Sequence, residues 1–344
     1  MLRTKQIFSL LILGALLLGA CNSPLAPQAT ATPSPTETPA VPPTPTLPPT
    51  ETPLPPRLLF SPGSSAGQSL LESARPLVSS AAQSAGFQLE ERESIQSADL
   101  TSEVRAVVLL SAPADLPGLL SAAPGAQFVV VSGSDLPAAG NLTVLRVQPT
   151  HQAFIAGLIS VLLSTDWRAA GLIPAETPVV QQAFQNGGRY FCGTCYPGWP
   201  LALYYPIVAP AAPVDAAGWS ASAADLFDNG KAEVFFLSPE SSTNEVITYL
   251  TGLVQFTEIV KIVGVGDPIP GMESQWAASV RFDVPTALET ILPGVLAGQS
   301  AGTVNVPVSV TDVNPALLSP ARQDLVNAAL AELATGNVLP ESVP

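Results

Sequence analysis

Positive charge is scarce in this chain, with 13 Lys and Arg against 27 Asp and Glu and a net charge of −14. A nucleic-acid partner is held by cations that neutralise its phosphates, so that class of partner is excluded. Histidine is scarcer still, one residue in 344, and there are three cysteines. A structural zinc takes four N or S ligands, which would use the histidine and every cysteine at once, including Cys21, far in sequence from Cys192 and Cys195, and nothing else in the sequence calls for a metal or cofactor. Long apolar runs are also missing beyond the first 20 residues, whereas a membrane-spanning helix needs about 20 apolar positions in a row.

The chain does have a distinctive beginning. Arg3 and Lys5 precede the apolar run Ile7 to Leu18, and Leu18-Gly19-Ala20-Cys21 then gives way to polar Asn22. This is the layout of a cleaved signal peptide, and LGAC resembles the bacterial lipobox, whose cysteine accepts a diacylglycerol. Residues 1–20 are therefore expected to be removed and Cys21 lipidated. Cleavage leaves 11 basic and 27 acidic side chains. Such a surface is weakly repelled by anionic headgroups, so contact with the bilayer is expected through the lipid, with the protein extracytoplasmic on the bacterial cell membrane.

Ser23 to Pro56 holds 13 prolines in 34 residues and only two charges, Glu37 and Glu51. It cannot build a core, and its proline density favours extended polyproline II. Residues 21–56 thus read as the lipidated cysteine followed by a disordered stalk. The remaining 288 residues, 57–344, exceed the usual size of one domain, which predicts two lobes. Runs rich in Val, Ile, Leu and Phe alternate with amphipathic or alanine-rich stretches, the pattern of α/β structure with parallel sheets covered on both faces. Eleven strands are predicted, from Arg57–Phe60 to Thr303–Val310, and seven helices, from Ala66–Ser84 to Pro320–Ala334.

Several blocks occur in a recognisable order: QFVVV, HQAFIAGLISVLLS, WRAAGLIPAETPVVQQAFQNGGRYFCG, GKAEVFFL, IVGVGDPIPG and SVRFDVPTALETILPGVLAG. Together they resemble the basic membrane protein family of lipoproteins, which is similar to the type I periplasmic solute-binding proteins. The resemblance spans about residues 100 to 335. It implies two Rossmann-like lobes joined by a three-crossing hinge, with 57–149 and 279–312 in one lobe and 150–278 and 313–344 in the other. The crossings then fall near Val147, Val280 and Val313. The family's known members serve nucleoside uptake through ABC transporters, so the resemblance implies a small polar solute and an ABC transporter permease as partners, and no enzyme activity.

Ligands in open α/β sheets collect at the carboxyl ends of the strands. The candidate ligand-binding residues are accordingly Ser61, Ser111, Ser132, Ser238, Asp267 and Arg281. By the resemblance, Asp267 would accept ribose hydroxyls, and Arg281 stands where the family has lysine. The family's D-x-S-F-N is absent after the first strand, and Ser132 occupies the position of a family acid. Without the resemblance, Asp267 before Pro268 reads as a turn residue, and Arg281 as one half of an ion pair.

Three other features have competing readings. Cys192 and Cys195 in C-G-T-C form a small-loop disulfide in preference to a redox couple or half a metal site, since the pair follows a predicted helix instead of opening one. The aromatics Tyr190, Phe191, Tyr196, Trp199, Tyr204 and Tyr205 around them either cover a loop or line the cleft. Gly63-Ser64-Ser65-Ala66-Gly67 matches the G-x-S-x-G turn of serine hydrolases, but a nucleophilic serine needs a positioned base. The sole histidine, His151, precedes most of the predicted sheet and is read as a first-turn helix residue. Besides a solute receptor, a sensory or scaffold lipoprotein on the same fold remains as a reading, with a serine hydrolase through Ser65 the remotest.

Overall fold

The computed structural model describes residues 54–63, 68–199, 203–257 and 259–342. The leader, Cys21, nearly all of the stalk, and Ser65 lie outside the described residues. No described helix is long and apolar enough to cross a membrane.

The first sheet is built from β1 (Arg57–Ser61), β2 (Gln88–Glu91), β3 (Val104–Leu109), β4 (Gln127–Ser132), β5 (Leu142–Arg146) and β11 (Thr303–Asn305), in the order β11-β5-β4-β3-β1-β2. The second contains β6 (Ala169–Leu172), β7 (Ile207–Ala209), β8 (Val234–Leu237), β9 (Lys261–Gly264), β10 (Trp276–Phe282) and β12 (Val308–Thr311), in the order β12-β10-β9-β8-β6-β7. All pairings are parallel except β12 on β10. The central strands are buried almost throughout, with Arg105 near the start of β3 the exposed exception, as expected of parallel strands covered on both faces.

Helices supply those covers. On the first sheet, α1 (Gln68–Ser84) and α7 (Val284–Leu296) pack on one face and α2 (Leu116–Ala122) on the other. Ala74, Val78 and Ala82 form the buried stripe of α1 at four-residue spacing. On the second sheet, α3 (Pro149–Leu163), α4 (Pro178–Cys192) and α8 (Pro320–Thr335) cover one face, and α5 (Ala216–Asp228) and α6 (Asn244–Phe256) the other. Asp215 caps α5 by accepting from the Gly218 N–H, and the Thr243 hydroxyl caps α6.

Helix α3 is apolar almost all round, with 11 of its 15 residues buried. It can be so because α4 lies directly against it. A Cβ on Gly157 would overlap the carbonyl oxygen of Phe184, and a Cβ on Gly187 would overlap that of Phe154. The two F-x-x-G segments thus interlock reciprocally, each glycine seated on the backbone of the other's phenylalanine.

The lobes exchange chain at β5 to α3, at Phe282–Asp283 and at Val306–Pro307. This corrects the lobe limits expected from the sequence. Residues 279–282 and 308–311 belong to the second sheet, and the last crossing lies near Pro307 instead of Val313. Thr303–Val310 is consequently two strands in two sheets. Proline has no N–H to give a ladder, so the run breaks there: Val306 N donates to Arg146 O (2.8 Å), and Pro307 O accepts from Asp283 N (2.9 Å). Those two bonds tie the three crossings together.

Candidate functional site

Both β5 and β10 run into a crossing at their carboxyl ends, so the carboxyl ends of the two sheets face each other and the cleft lies between them. Four serines stand at those ends, and three spend their hydroxyls on their own surroundings. Ser61 Oγ donates to Glu93 O (2.8 Å), Ser132 Oγ to Ser134 O (3.0 Å), and Ser238 Oγ to Ser241 Oγ (3.4 Å), and all three serines are buried. Ser111 is half-buried beneath Gly63, whose backbone has φ of +70° and whose missing Cβ is what lets the first loop lie on the Ser111 hydroxyl. No hydrogen bond among the described residues links these four serines to one another.

Asp267 and Arg281 do come together. From β10, Arg281 Nη2 reaches Asp267 Oδ1 at 2.8 Å, Asp312 Oδ2 at 2.5 Å and Gly266 O at 2.8 Å. Its Nη1 donates to Ser69 Oγ at 2.7 Å, on the first turn of α1 in the opposite lobe. One guanidinium therefore binds two carboxylates in its own lobe and a hydroxyl across the cleft. Such a task suits the planar fork of arginine and not the point charge of lysine. Asp267 is 58% exposed, and only its Oδ1 is bonded to the arginine, which leaves Oδ2 as an outward acceptor.

Sequence reading missed three members of this neighbourhood. Arg146 ends β5 beside the first crossing and pairs with Asp135 at 2.6 Å. It was overlooked because the predicted strand ran one residue further, to Val147, and so placed the arginine inside it. Asp312 follows β12 with φ of +48°, a conformation more accessible to Asp than to most residues; its role depends on β12 joining the second sheet. Ser69 had no signal beyond its place in a first helical turn. Both Arg146 Nε and Arg281 Nε are buried without a hydrogen-bond partner among the described residues.

No family model matches the chain, and no curated protein does. Solved structures do. An ABC transporter solute-binding protein from Aeropyrum pernix K1 superposes with a TM-score of 0.59 at 12% identity, covering 83% of this chain and 93% of its own. One from Conexibacter woesei DSM 14684 gives 0.57 at 14% identity, covering 82% and 98%. A transcriptional activator of the comK gene from Bacillus halodurans gives 0.59 at 13% identity, covering 83% and 99%. The fold is that of the type I periplasmic binding proteins.

In this binding-protein fold the amino ends of the strands form the outer poles of the lobes. The aromatic loop, between the end of α4 and the start of β7, therefore caps the outer pole of the second lobe and does not line the cleft. Tyr205 is buried, with its hydroxyl donating to Gly230 O, and Tyr190, Phe191, Tyr196, Trp199 and Tyr204 are partly exposed. Arg168 lies over the Trp199 ring, 5.8 Å from its centroid. Cys192 and Cys195 are disulfide-bonded at the end of α4. Closing so short a loop constrains the unfolded chain by about 2 kcal/mol in the chain-entropy model. Urea denaturation of a Cys192→Ser, Cys195→Ser variant is expected to show a loss of about that size, and an unchanged midpoint would show that the bond constrains nothing.

His151 stands in the first turn of α3, half-buried, its N–H donating to Gln148 O at 3.0 Å. Burial holds its imidazole below the ordinary value of about 6.5, against a weaker opposing pull from Glu341. The unfolded chain therefore takes up this proton at a higher pH than the folded one. The associated stability is present above about pH 6.5 and is lost as pH falls through the lower folded value. Urea midpoints measured between about pH 7 and pH 5 should fall in the native chain and less so in His151→Gln, and parallel curves would refute the assignment.

Proposed function

We propose that this protein is a membrane-anchored extracytoplasmic receptor, tethered through acylated Cys21, that delivers a small polar solute to an ABC transporter permease. The observation that carries this reading is the Arg281 cluster. In a two-lobed binding fold it sits on the hinge side of the cleft, joins one lobe to the other through Ser69, and leaves the second oxygen of the exposed Asp267 without a hydrogen bond among the described residues. A cleft furnished this way can be closed on a ligand by moving one hydrogen-bonded joint, and it offers an acceptor suited to hydroxyl or amino groups. Two of the structures sharing the fold are described as solute-binding proteins of ABC transporters.

The nucleoside implied by the resemblance is one member of the cargo class. A melting experiment on the purified protein against nucleosides, bases, sugars and amino acids distinguishes the members. A ligand at 100 times its Kd should stabilise the protein by about 2.7 kcal/mol. A sugar or amino-acid hit would keep the receptor and change its cargo, whereas a panel with no shift would overturn the receptor reading. A sensor or scaffold on the same fold is the second reading, favoured by one specific observation: Ser61, Ser132 and Ser238 have their hydroxyls engaged within the lobes instead of presented to a ligand.

A further inference from the structure

Outside the cleft there is a cavity of about 490 Å³ set against the hinge. Gln148 and His151 line it at the first crossing, Asn305 and Pro307 at the third, and Leu333 and Leu339 on the side of α8 and the segment after it. None of the cleft residues described above contributes. The wall on the α8 side is set by the helix end, where Gly336 adopts a left-handed conformation and Asn337 N donates back to Glu332 O at 3.0 Å. The volume falls within the range of small-molecule sites, about 300–1,000 Å³.

The chemistry of the lining selects the occupant. No Asp, Glu, Lys or Arg lines the cavity, and its apolar side chains are interrupted by two amides, the Thr335 hydroxyl and the imidazole. A charged ligand would find no partner of opposite sign on these walls. A purely hydrocarbon ligand would strip water from those polar groups and return no hydrogen bond. We infer that this cavity is a second ligand site, for a small uncharged amphiphile with a ring-sized apolar body and one or two hydrogen-bonding groups. Two of the three interlobe crossings line it, so the occupant touches the hinge itself. The inference does not depend on what fills the cleft.

The chain supplies its own reporter, because His151 is its only histidine and gives a single imidazole Hε1–Cε1 resonance. Indole is a suitable probe, being uncharged, ring-shaped and a single hydrogen-bond donor. Titrated into the intact protein at about pH 7.5, above the usual imidazole range, indole should move that resonance along a saturable curve. Ala334 lines the cavity from an exposed position on α8, so Ala334→Trp fills it without touching the core. That variant should weaken the response by roughly tenfold or more, about 1.4 kcal/mol. Ala321→Trp puts the same ring on an exposed position in the first turn of α8, more than three helical turns from Ala334, and should leave the response intact. A resonance that does not move, that moves without saturating, or that still moves in Ala334→Trp overturns the proposal.

Discussion

Alanine at Gly157 or at Gly187 is expected to destabilise the protein by roughly 3 kcal/mol, the upper end of what overpacking costs. Each new methyl would overlap a backbone carbonyl oxygen, that of Phe184 in one case and of Phe154 in the other. A side chain in the way could rotate; a helical carbonyl cannot, so α3 and α4 must separate and the buried Phe154 and Phe184 lose contact with their neighbours. Helix propensity alone predicts the opposite sign, because alanine is favoured over glycine inside a helix by about 1 kcal/mol. Gly252 in α6 provides the internal control, since nothing lies within 4 Å of its would-be Cβ. Urea midpoints should fall steeply for Gly157→Ala and Gly187→Ala and rise slightly for Gly252→Ala. A rise in all three would mean that the helix contact is looser than the interlock described.

Replacing Arg281 by methionine is expected to weaken solute binding by roughly a hundredfold, about 3 kcal/mol. Methionine keeps much of the apolar stem but leaves Asp267 and Asp312 without their shared cation and Ser69 without its cross-cleft donor. Much of that cost is the penalty for two acids left facing one another. Lysine should restore little, since one ammonium cannot serve Asp267, Asp312, Gly266 O and Ser69 with the geometry of a fork. The check is a titration of each variant with whichever solute the melting panel identifies. Full affinity in an Asp267→Ala, Arg281→Ala double variant would remove the cluster from the binding site while leaving the fold untouched.

Much of the architecture was legible in the sequence because its signals are local. Runs such as QFVVV read as buried parallel strands, and the alternation with helices gave the α/β class. Helix α2 was missed because D-L-P-G-L-L contains both residues that punctuate turns, and the helix is held by burial of Leu116 and Leu119 more than by propensity. The division at Pro307 was missed for a different reason. Thr303–Val310 has an unbroken strand composition, and only the pairing of its halves with different sheets reveals a crossing, which is a long-range fact. The site divides along the same line. Asp267 and Arg281 were found from their places near strand ends, but no pattern in sequence brings Ser69 or Asp312 to Arg281, because those contacts span 212 and 31 residues. The F-x-x-G segments show the converse: they were conspicuous as letters, yet their purpose is contact between two helices and carries no information about cargo.

The late return of the chain to the first sheet has a consequence for how the protein is made. The ribosome delivers β1 to β5 first, but α7, whose Val284, Leu288, Ile291, Leu292 and Val295 cover one face of that sheet, follows only after the whole of β6 to β10. Until about residue 296 emerges, the face that α1 shares with α7 is only partly covered, and until β11 arrives, β5 is an open edge, both of them invitations to aggregate. Each lobe therefore waits for the last part of the chain, the first for α7 and β11 and the second for β12 and α8, so the amino-terminal lobe cannot be finished early, as amino-terminal domains usually are during synthesis. Neither lobe is a continuous stretch that a truncation could isolate, and a nascent chain of this design gains most from being kept unfolded until its last third is available.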